Sequence, residues 1–486
     1  MKRREFPQSN AKGPQGPSRR DILKLGVGAL GASVVACSAP GALQLSPDVR
    51  LPHPNFVIFM TDGQRPDEMS FSGNPIIHTP NMDRVAREGM NFRNAFVVNA
   101  LCAPSRASVL TGMYSHRHGV IDNKDRPIAS CVPIFSDMLR AAGYEVAFCG
   151  KSHVRNGLRD HYWDYYFGPL GQPAYTNQQI AEGTNGKVGR DQVYEGYIDD
   201  LLTTAAVNWL QGQREKPFCL FLWLFAPHRP FLRPRRYEDL YNGMAIPKPS
   251  TYDDDLKAYP GKPQAFVNAK NKIGVYDDVR TLESLVKDHY ATTVAADDNL
   301  GQILEALSRA NKLDDTAIVF TADHGFFLGE WHSFDKRFMH EPSIRIPLFI
   351  RYPRAINAGS VSNQMVLNLD ITPTILELAG VRIPESMQGR SLLPLVQGNV
   401  SGCRKDWFYE YYEYPGPHSV PKNRGIRTER YKLIEYYEQE PKEYELYDLK
   451  HDPGEVHNLY GNPQYAELTR ELMHRMEELR REVGEI

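Results

Sequence analysis

Short apolar runs alternate with amphipathic stretches along most of the chain. Five runs are almost wholly apolar and end in turn residues, as buried strands do: residues 55–61, 145–149, 218–224, 316–321 and 348–351. Helical spacing of apolar positions marks residues 80–89, 134–142, 198–211, 282–309 and 372–379. Because strands alternate with helices, we predict an α/β fold whose mostly parallel sheet is flanked by helices. The Pro-, Lys- and Asp-rich stretch 247–274 is expected to be a surface excursion.

The pattern changes near residue 407. Short aromatic-rich runs at 407–414, 425–427, 431–437 and 444–448 are separated by turns, and 464–483 has one apolar helical face. This order predicts a small antiparallel sheet followed by a helix. We therefore expect a catalytic domain over 53–400 and a smaller C-terminal subdomain over 401–486.

The overall charge conceals two different parts of the chain. The 486 residues include 57 Lys and Arg and 59 Asp and Glu, a formal net charge of −2. Residues 1–36 carry seven basic and two acidic side chains, so the remaining body is at −7. No basic excess is left to bind nucleic acid broadly, and we expect no nucleic-acid partner.

The basic segment 1–36 has the pattern of an export signal. Arg19 and Arg20 precede an apolar run over 25–36, which indicates a twin-arginine-type signal read by the export machinery. A membrane-spanning helix needs about 20 residues, so this run is too short to be one. Residues 34–37 also match a lipobox that would lipidate Cys37; cleavage nearby is the alternative. We expect a periplasmic or cell-surface protein whose only membrane contact would be that lipid anchor.

Polar side chains follow four of the predicted strands where each strand ends. They comprise two carboxylates, three histidines and a lysine: Asp62, Lys151, His153, His228, Asp323 and His324. The carboxyl ends of parallel strands are where such sheets place their ligands. The carboxylates together with His324 suit a divalent cation, and the lysine and remaining histidines suit a tetrahedral anion.

One of six cysteines is a candidate nucleophile. The cysteines form no CxxC pair and no dense framework, and Cys149 and Cys219 lie in apolar strand-like runs, as inert buried thiols do. Cys102 instead occurs in Cys-Ala-Pro-Ser-Arg, which we place in a loop before a predicted helix over 105–111. A helix N-terminus stabilises an anionic nucleophile and a bound oxyanion.

Residues 102–106, continuing to Leu-Thr-Gly at 110–112, resemble the signature of the type I sulfatases. Further matching segments lie at 150–153, 226–230, 323–325, 335–337 and 446–448, and the resemblance covers about residues 53–486. It implies an alkaline-phosphatase-like fold with a smaller C-terminal subdomain. It also implies that a formylglycine-generating enzyme oxidises Cys102 to Cα-formylglycine, whose hydrate attacks sulfur and later expels sulfate.

The resemblance also implies a role for each matching residue. Cys102 is the nucleophile and a metal ligand, and Asp62, Asp323 and His324 hold the same metal, expected to be Ca²⁺ with Mg²⁺ or Mn²⁺ as alternatives. The remaining roles belong to Arg106, which orients the nucleophile; Lys151 and Lys336, which grip sulfate oxygens; His228, the acid; and His153, the base.

One position departs from the family pattern. Most sulfatases have a second Asp, or sometimes Gln, directly after the first, whereas this chain has Gly63 followed by Gln64. Gly63 cannot be a ligand through a side chain, so we expect either an additional water on the metal or a contribution from Gln64. His324 also replaces a common Asn or Gln, as it does in some sulfatases and in related phosphonate monoester hydrolases.

The segments 325–330, 334–339, 411–415 and 425–433 resemble the glycan-degrading branch, and the nearest pattern is the N-acetylglucosamine-6-sulfatase type. That pattern implies a sulfated sugar, a 6-O-sulfated hexosamine, as the substrate and His418 as a sugar contact. Two alternatives stay open at this point. His324 favours a phosphonate monoester or phosphodiester hydrolase, and Gly63 favours a non-catalytic glycan-binding relative.

Overall fold

The computed structural model describes residues 53–252, 261–275 and 281–486. The predicted export signal, the predicted lipobox and Cys37 lie outside the described residues. Within these ranges, thirteen strands precede residue 370: β1 Asn55–Thr61, β2 Met90–Phe96, β3 Glu145–Gly150, β4 Tyr165–Pro169, β5 Thr176–Thr184, β6 Lys187–Val188, β7 Gln192–Tyr197, β8 Phe218–Trp223, β9 Thr316–Ala322, β10 Phe327–Leu328, β11 Phe334–Asp335, β12 Leu348–Arg351 and β13 Ser360–Leu367.

Eleven of these strands form one sheet in the order β13-β2-β12-β9-β1-β8-β3-β4-β5-β6, with β7 also paired to β5. β1 is parallel to both of its neighbours, β8 and β9, and β3 is parallel to β8 and β4. β12 is antiparallel to β2 and β9, and the β5–β7 edge is antiparallel. The carboxyl ends of the central strands therefore meet at one edge.

Helices cover both faces of this sheet. The helices of the described residues are α1 Pro80–Glu88, α2 Cys102–Thr111, α3 Ser115–His118, α4 Phe135–Ala141, α5 Ile198–Leu210, α6 Gln264–Val267, α7 Leu282–Arg309, α8 Glu341–Ile344, α9 Ile371–Leu378, α10 Leu393–Val396 and α11 Ala466–Glu482. Alternate residues of β1 enter opposite cores: Phe56 and Ile58 pack with α2, α4 and α9, whereas Val57 and Phe59 pack with α1, α5 and α7. A strand buried on both faces needs a continuous apolar run, which is what residues 55–61 supply.

The C-terminal part is an antiparallel sheet of four strands, β14 Asp406–Tyr411, β15 Asn423–Thr428, β16 Tyr431–Tyr436 and β17 Glu443–Asp448. α11 lies against it and buries Leu472, Met476 and Leu479 in the core that also contains Trp407. The predicted α/β class, the mostly parallel sheet and the smaller antiparallel sheet with a helix are confirmed. The domain boundary at residue 400 stays a prediction.

The prediction that 247–274 is a surface excursion is wrong for its second half. Lys262 and Phe266 are buried, and the Lys262 ammonium donates to His340 Nε2 at 2.8 Å and Glu445 Oε2 at 2.9 Å. Polar composition misled the prediction because these charges are paired with others inside the fold. In the described ranges, no helix combines the length and the apolarity that crossing a bilayer requires.

Candidate active site

Four neighbouring strands deliver polar side chains to one edge of the sheet. In the order β9, β1, β8 and β3, these strands are followed by Asp323 and His324, by Asp62, by the loop that carries His228, and by Lys151. The first residues after β1, β3 and β9 are completely buried. The predicted strand-end residues therefore do come together.

Cys102 is the first residue of α2, and the predicted loop at 102–104 is wrong. Pro104 lies in the first helical turn, where its missing N–H costs nothing. The Cys102 Sγ atom lies 3.3 Å from His324 Nε2 and 3.6 Å from Asp62 Oδ1. The Ala103 N–H donates to Asn123 Oδ1 at 3.0 Å, which anchors this end of the helix. The candidate nucleophile thus lies at a helix N-terminus, as expected.

A buried group of four side chains fits a metal ion. One ligand atom from each of Asp62, Cys102, Asp323 and His324 lies within 4.8 Å of the others. The His324 Nδ1–H donates to the Gly325 carbonyl at 2.8 Å, so the lone pair of Nε2 faces the group. Two buried carboxylates, an imidazole and the residue at 102 form a donor set suited to a divalent cation.

Gln64 does not turn toward this group. Its Oε1 accepts a hydrogen bond from the Thr61 hydroxyl at 2.8 Å, and its Nε2 lies 3.4 Å from Met82 Sδ. Gly63 instead contributes its N–H, which donates to Asp323 Oδ1 at 3.0 Å. The suggestion that Gln64 replaces the family's second carboxylate therefore finds no support in the contacts of Gln64.

Two cations hold the carboxylates in place. Arg106 bridges them, with Nη2 at 2.9 Å from Asp62 Oδ2 and Nε at 2.8 Å from Asp323 Oδ2. The Lys151 ammonium lies 2.6 Å from the same Asp62 oxygen. Burial and Cys102 would raise the pKa of Asp62, but Lys151, His228 and Arg106 outweigh them and keep it ionised. Arg106 also donates to the Lys151 carbonyl at 2.5 Å, which links α2 to the end of β3.

The position of Cys102 is strongly electropositive. Burial raises the pKa of its thiol, but Lys151, Lys336 and His324, together with a hydrogen bond from His153, lower it well below the usual value. The sulfur occupies the place of the aldehyde-hydrate oxygens of a converted residue. The same cations would therefore favour an anionic oxygen there and a sulfate group beside it.

The two candidate proton-transfer histidines both contact Cys102. His153 is half-buried and has a left-handed φ of 58°, and its pKa is lowered by burial and by Lys151. The His228 Nδ1–H donates to the Arg229 carbonyl at 2.6 Å, and its ring stacks on Phe225 at 5.0 Å. Burial, Lys151 and Lys336 lower the pKa of His228 to about 4.

A second cluster, which we call the acid–arginine cluster, adjoins Lys336. Its members are Asp335, Arg337, Glu413 and His418. Asp335 Oδ2 accepts from His418 Nε2 at 2.7 Å and pairs with Arg337, and Asp335 Oδ1 lies 3.4 Å from the Lys336 ammonium. Arg337 Nε lies 3.3 Å from Glu413 Oε2. His418 thus joins the site as predicted, from the β14–β15 loop.

Sequence reasoning gave no role to Asp335, Arg337 and Glu413. The first two flank Lys336 in a motif that had been noticed, so their positions carried a signal. Gln172 was also missed; its Nε2 lies 3.0 Å from His228 Nδ1 at the exposed mouth of the site. No sequence signal singles out Gln172, because the β4–β5 loop reaches His228 only through the fold.

The chain matches two family models. The model described as "Sulfatase" matches residues 54–381, and "N-sulphoglucosamine sulphohydrolase, C-terminal" matches residues 329–482. N-acetylglucosamine-6-O-sulfatase of Bacteroides thetaiotaomicron is 35% identical over 88% of this chain and 86% of its own length. Human N-acetylglucosamine-6-sulfatase is 27% identical over 74% of this chain and 67% of its own length.

A solved structure of a protein in complex with its substrate D-glucosamine-2-N,6-O-disulfate superposes with a TM-score of 0.82 and 34% identity. The match covers 89% of this chain and 99% of that one. The sequence similarity and the shared architecture extend over the catalytic cluster and the C-terminal sheet alike. The chain therefore belongs to the sulfatase family of the alkaline-phosphatase superfamily, and it is a sulfuric ester hydrolase.

Proposed function

We propose that this sulfatase removes the 6-O-sulfate from a hexosamine at the end of a sulfated glycan. The observation that carries the proposal is the acid–arginine cluster beside Lys336. In a carboxylate–guanidinium pair, the carboxylate can accept from one sugar hydroxyl and the guanidinium can donate to a neighbouring one, which orients a sugar ring. His418 and Asp335 add a second donor–acceptor pair at 2.7 Å.

The relatives support this substrate class. Two similar proteins carry the names N-acetylglucosamine-6-O-sulfatase and N-acetylglucosamine-6-sulfatase, and a similar structure holds a 6-O-sulfated glucosamine as substrate. The residues 329–482 that match the second family model contain every member of the acid–arginine cluster. We assign the sulfate to the Lys151 and Lys336 side and the sugar hydroxyls to the acid–arginine cluster.

The catalytic assignments follow from the family resemblance and from the contacts around position 102. A hydrated aldehyde at position 102 supplies a nucleophilic hydroxyl and a second hydroxyl whose deprotonation releases sulfate. Lys151 and Lys336 stabilise the charge that grows on the sulfate oxygens. His153, hydrogen-bonded to Cys102, is the base for that deprotonation. Arg106 holds both carboxylates in position.

His228 is the proposed acid for the leaving oxygen. In the free protein its pKa is lowered to about 4 by burial first, and then by Lys151 and Lys336. A bound sulfate ester brings negative charge between those lysines and opposes their effect, which raises the pKa. The Nδ1–H is held by the Arg229 carbonyl, so Nε2 is the atom that exchanges the proton.

We further propose that the cation is Ca²⁺, with Mg²⁺ or Mn²⁺ as alternatives, held by Asp62, Asp323, His324 and the residue at 102. It would supply Lewis-acid polarisation of the sulfate and a charge that balances the carboxylates. Maturation requires a formylglycine-generating enzyme. The paired arginines Arg19 and Arg20 support export by the twin-arginine machinery to the periplasm or the cell surface.

A desulfation screen tests the proposed substrate. Enzyme matured by a formylglycine-generating system is incubated with N-acetylglucosamine bearing sulfate at O3 or O6 and with galactosamine 4- and 6-sulfates. Sulfate release should be fastest from a 6-O-sulfated hexosamine. Faster release from a 3- or 4-sulfate would overturn the positional assignment, and mass analysis of the peptide containing residue 102 verifies conversion in the same sample.

His324 gives one reason to include phosphonate esters. A nitrogen ligand in place of an amide oxygen alters the charge and softness of the metal site. The kcat/KM for 4-nitrophenyl sulfate and for a 4-nitrophenyl phosphonate monoester should therefore be measured on the same preparation. The sulfate ester is expected to have the higher kcat/KM. A higher kcat/KM on the phosphonate would show that phosphonate monoesters are the preferred substrates.

A further inference from the structure

A cavity of about 670 Å³ lies at the other end of the nucleophile helix α2. The carbonyl of Gly112, which closes α2, accepts from the backbone N–H groups of Gln388 and Gly389 at 3.0 Å each, and the 385–390 loop forms one wall. The end of α11 and the start of β14 form the others. The ten residues of α2 place this cavity about 15 Å from Cys102 along the helix, and it shares no residue with the catalytic site.

This cavity, which we call the basic groove, is lined by six cations: Arg117, Arg390, Arg404, Lys405, Arg475 and Arg481. Arg404 pairs with Asp370, and Arg475 pairs with Asp406. Within the part of the chain that the structure describes, the other four cations form no ion pair, and all four are exposed. Their charge is available to a ligand.

The acidic residues of the basic groove do not cancel this charge. Glu385 is bound to Arg382 at 3.2 Å, and Asp406 and Glu482 are both bound by Arg475, at 2.8 Å and 2.6 Å. The body of the protein outside residues 1–36 carries a net charge of −7. A set of unpaired cations concentrated in one concave site on an acidic protein attracts anions locally, and the volume lies in the range of a ligand site.

We propose that the basic groove is a secondary binding site for the anionic chain of a sulfated glycan. This inference rests on the proposed function, because a sulfatase that acts at a chain end meets substrates with many further negative charges. Four separate cations spread over α3, two loops and α11 suit several sulfate or carboxylate groups rather than one.

Binding of a sulfated heparin octasaccharide tests this site. Calorimetry on unconverted protein, which leaves the oligosaccharide intact, compares wild type with an Arg390→Ser/Lys405→Ser variant and with Lys405→Glu, which disrupts no described contact. The matched control is Lys187→Ser/Arg190→Ser, which removes two exposed, unpaired cations from the β5–β7 edge. The desulfated octasaccharide and inorganic sulfate are measured alongside.

Both groove variants should bind the sulfated octasaccharide about tenfold more weakly than wild type, while the control binds normally. Matured groove variants should keep the wild-type kcat/KM on N-acetylglucosamine 6-sulfate. Equal weakening in the control, or none in the groove variants, would overturn the proposal, and so would binding of inorganic sulfate as tight as that of the octasaccharide. Failure of wild type to hydrolyse the monosaccharide would refute the proposed substrate without altering the binding comparison.

Discussion

Gly63 leaves the space that the imidazole of His324 occupies. A Cβ atom added to Gly63 would lie 3.1 Å from His324 Cε1 and 3.3 Å from Phe326 Cδ2. A side chain at position 63 would therefore require the His324 ring or the Phe326 ring to shift by a few tenths of an ångström. The absence of a side chain at Gly63 and the position of the His324 imidazole are thus linked by direct packing.

Gly63→Ala should weaken metal binding, because the added methyl group displaces the ring that holds Nε2 toward the cluster. Gly63 also has a φ of +83°, so the substitution adds about 1–2 kcal/mol of backbone strain. Equilibrium dialysis against buffered Ca²⁺ or Mn²⁺, followed by metal analysis, measures the loss. Gly143→Ala is the control, since Gly143 has a φ of +94° and its added Cβ meets nothing within 4 Å. Normal metal affinity in Gly63→Ala would contradict the prediction.

Cys102→Ala should abolish turnover, whereas Cys219→Ala should mainly affect stability. Removal of a nucleophile costs roughly 10⁴-fold or more in kcat. Cys219 lies in β8 in the sheet core, where burial raises the pKa of its thiol well above the usual value and keeps it inert. Its truncation should lower the free energy of unfolding by about 1 kcal/mol. Initial rates measure the activity of both variants, and denaturant unfolding measures their stability. Equal loss of activity in two folded variants would refute the assignment of Cys102 as the nucleophile.

The central strands were predictable because their signal is local. The strands at 55–61 and 348–351, like the helix at 282–309, have the same bounds in the prediction and in the structure. The missed strands β2, β5 and β13 mix polar and apolar residues without strict alternation, because each has a partly exposed face near the sheet edge. Their pairing partners, which are distant in sequence, determine that they are strands.

The active-site residues likewise form two groups, those with a local sequence signal and those without one. Asp62, Lys151 and Asp323 could be located because strand ends bring them together in any parallel sheet. Glu413 and Gln172 reach the site through the β14–β15 and β4–β5 loops, whose paths depend on tertiary packing. The roles assigned to the catalytic residues rest on contacts and on family resemblance, and remain predictions for the variants to test.

His418→Ala should lower the kcat/KM for N-acetylglucosamine 6-sulfate roughly 100-fold and leave that for 4-nitrophenyl sulfate nearly unchanged. A site that hydrogen-bonds sugar hydroxyls loses selectivity when one polar partner is removed, and an aryl ester makes no such bonds. Steady-state kinetics on both substrates give the ratio of the two kcat/KM values. His457→Ala, at a histidine side chain that is 79% exposed, is the control. An equal fall on both substrates would show that His418 supports the fold or Lys336 and does not select the sugar.

Lys272 should make the protein more stable as the pH rises from 7.5 to 9.5. Burial, followed by repulsion from Lys262, lowers the pKa of Lys272 to about 7, and its Nζ atom donates to Ser333 Oγ at 2.7 Å. The unfolded chain, in which this pKa is about 10.4, binds more protons in that window. Stability therefore increases with pH by up to about 1.4 kcal/mol per pH unit.

In Lys272→Met the gain in stability between pH 7.5 and pH 9.5 should be about 2–3 kcal/mol smaller than in the wild type. Denaturant unfolding at both pH values measures it, with Lys270→Met, at an exposed lysine two positions away, as the control. If Lys272→Met gains as much stability as the control, the lysine is charged inside the fold and the prediction fails.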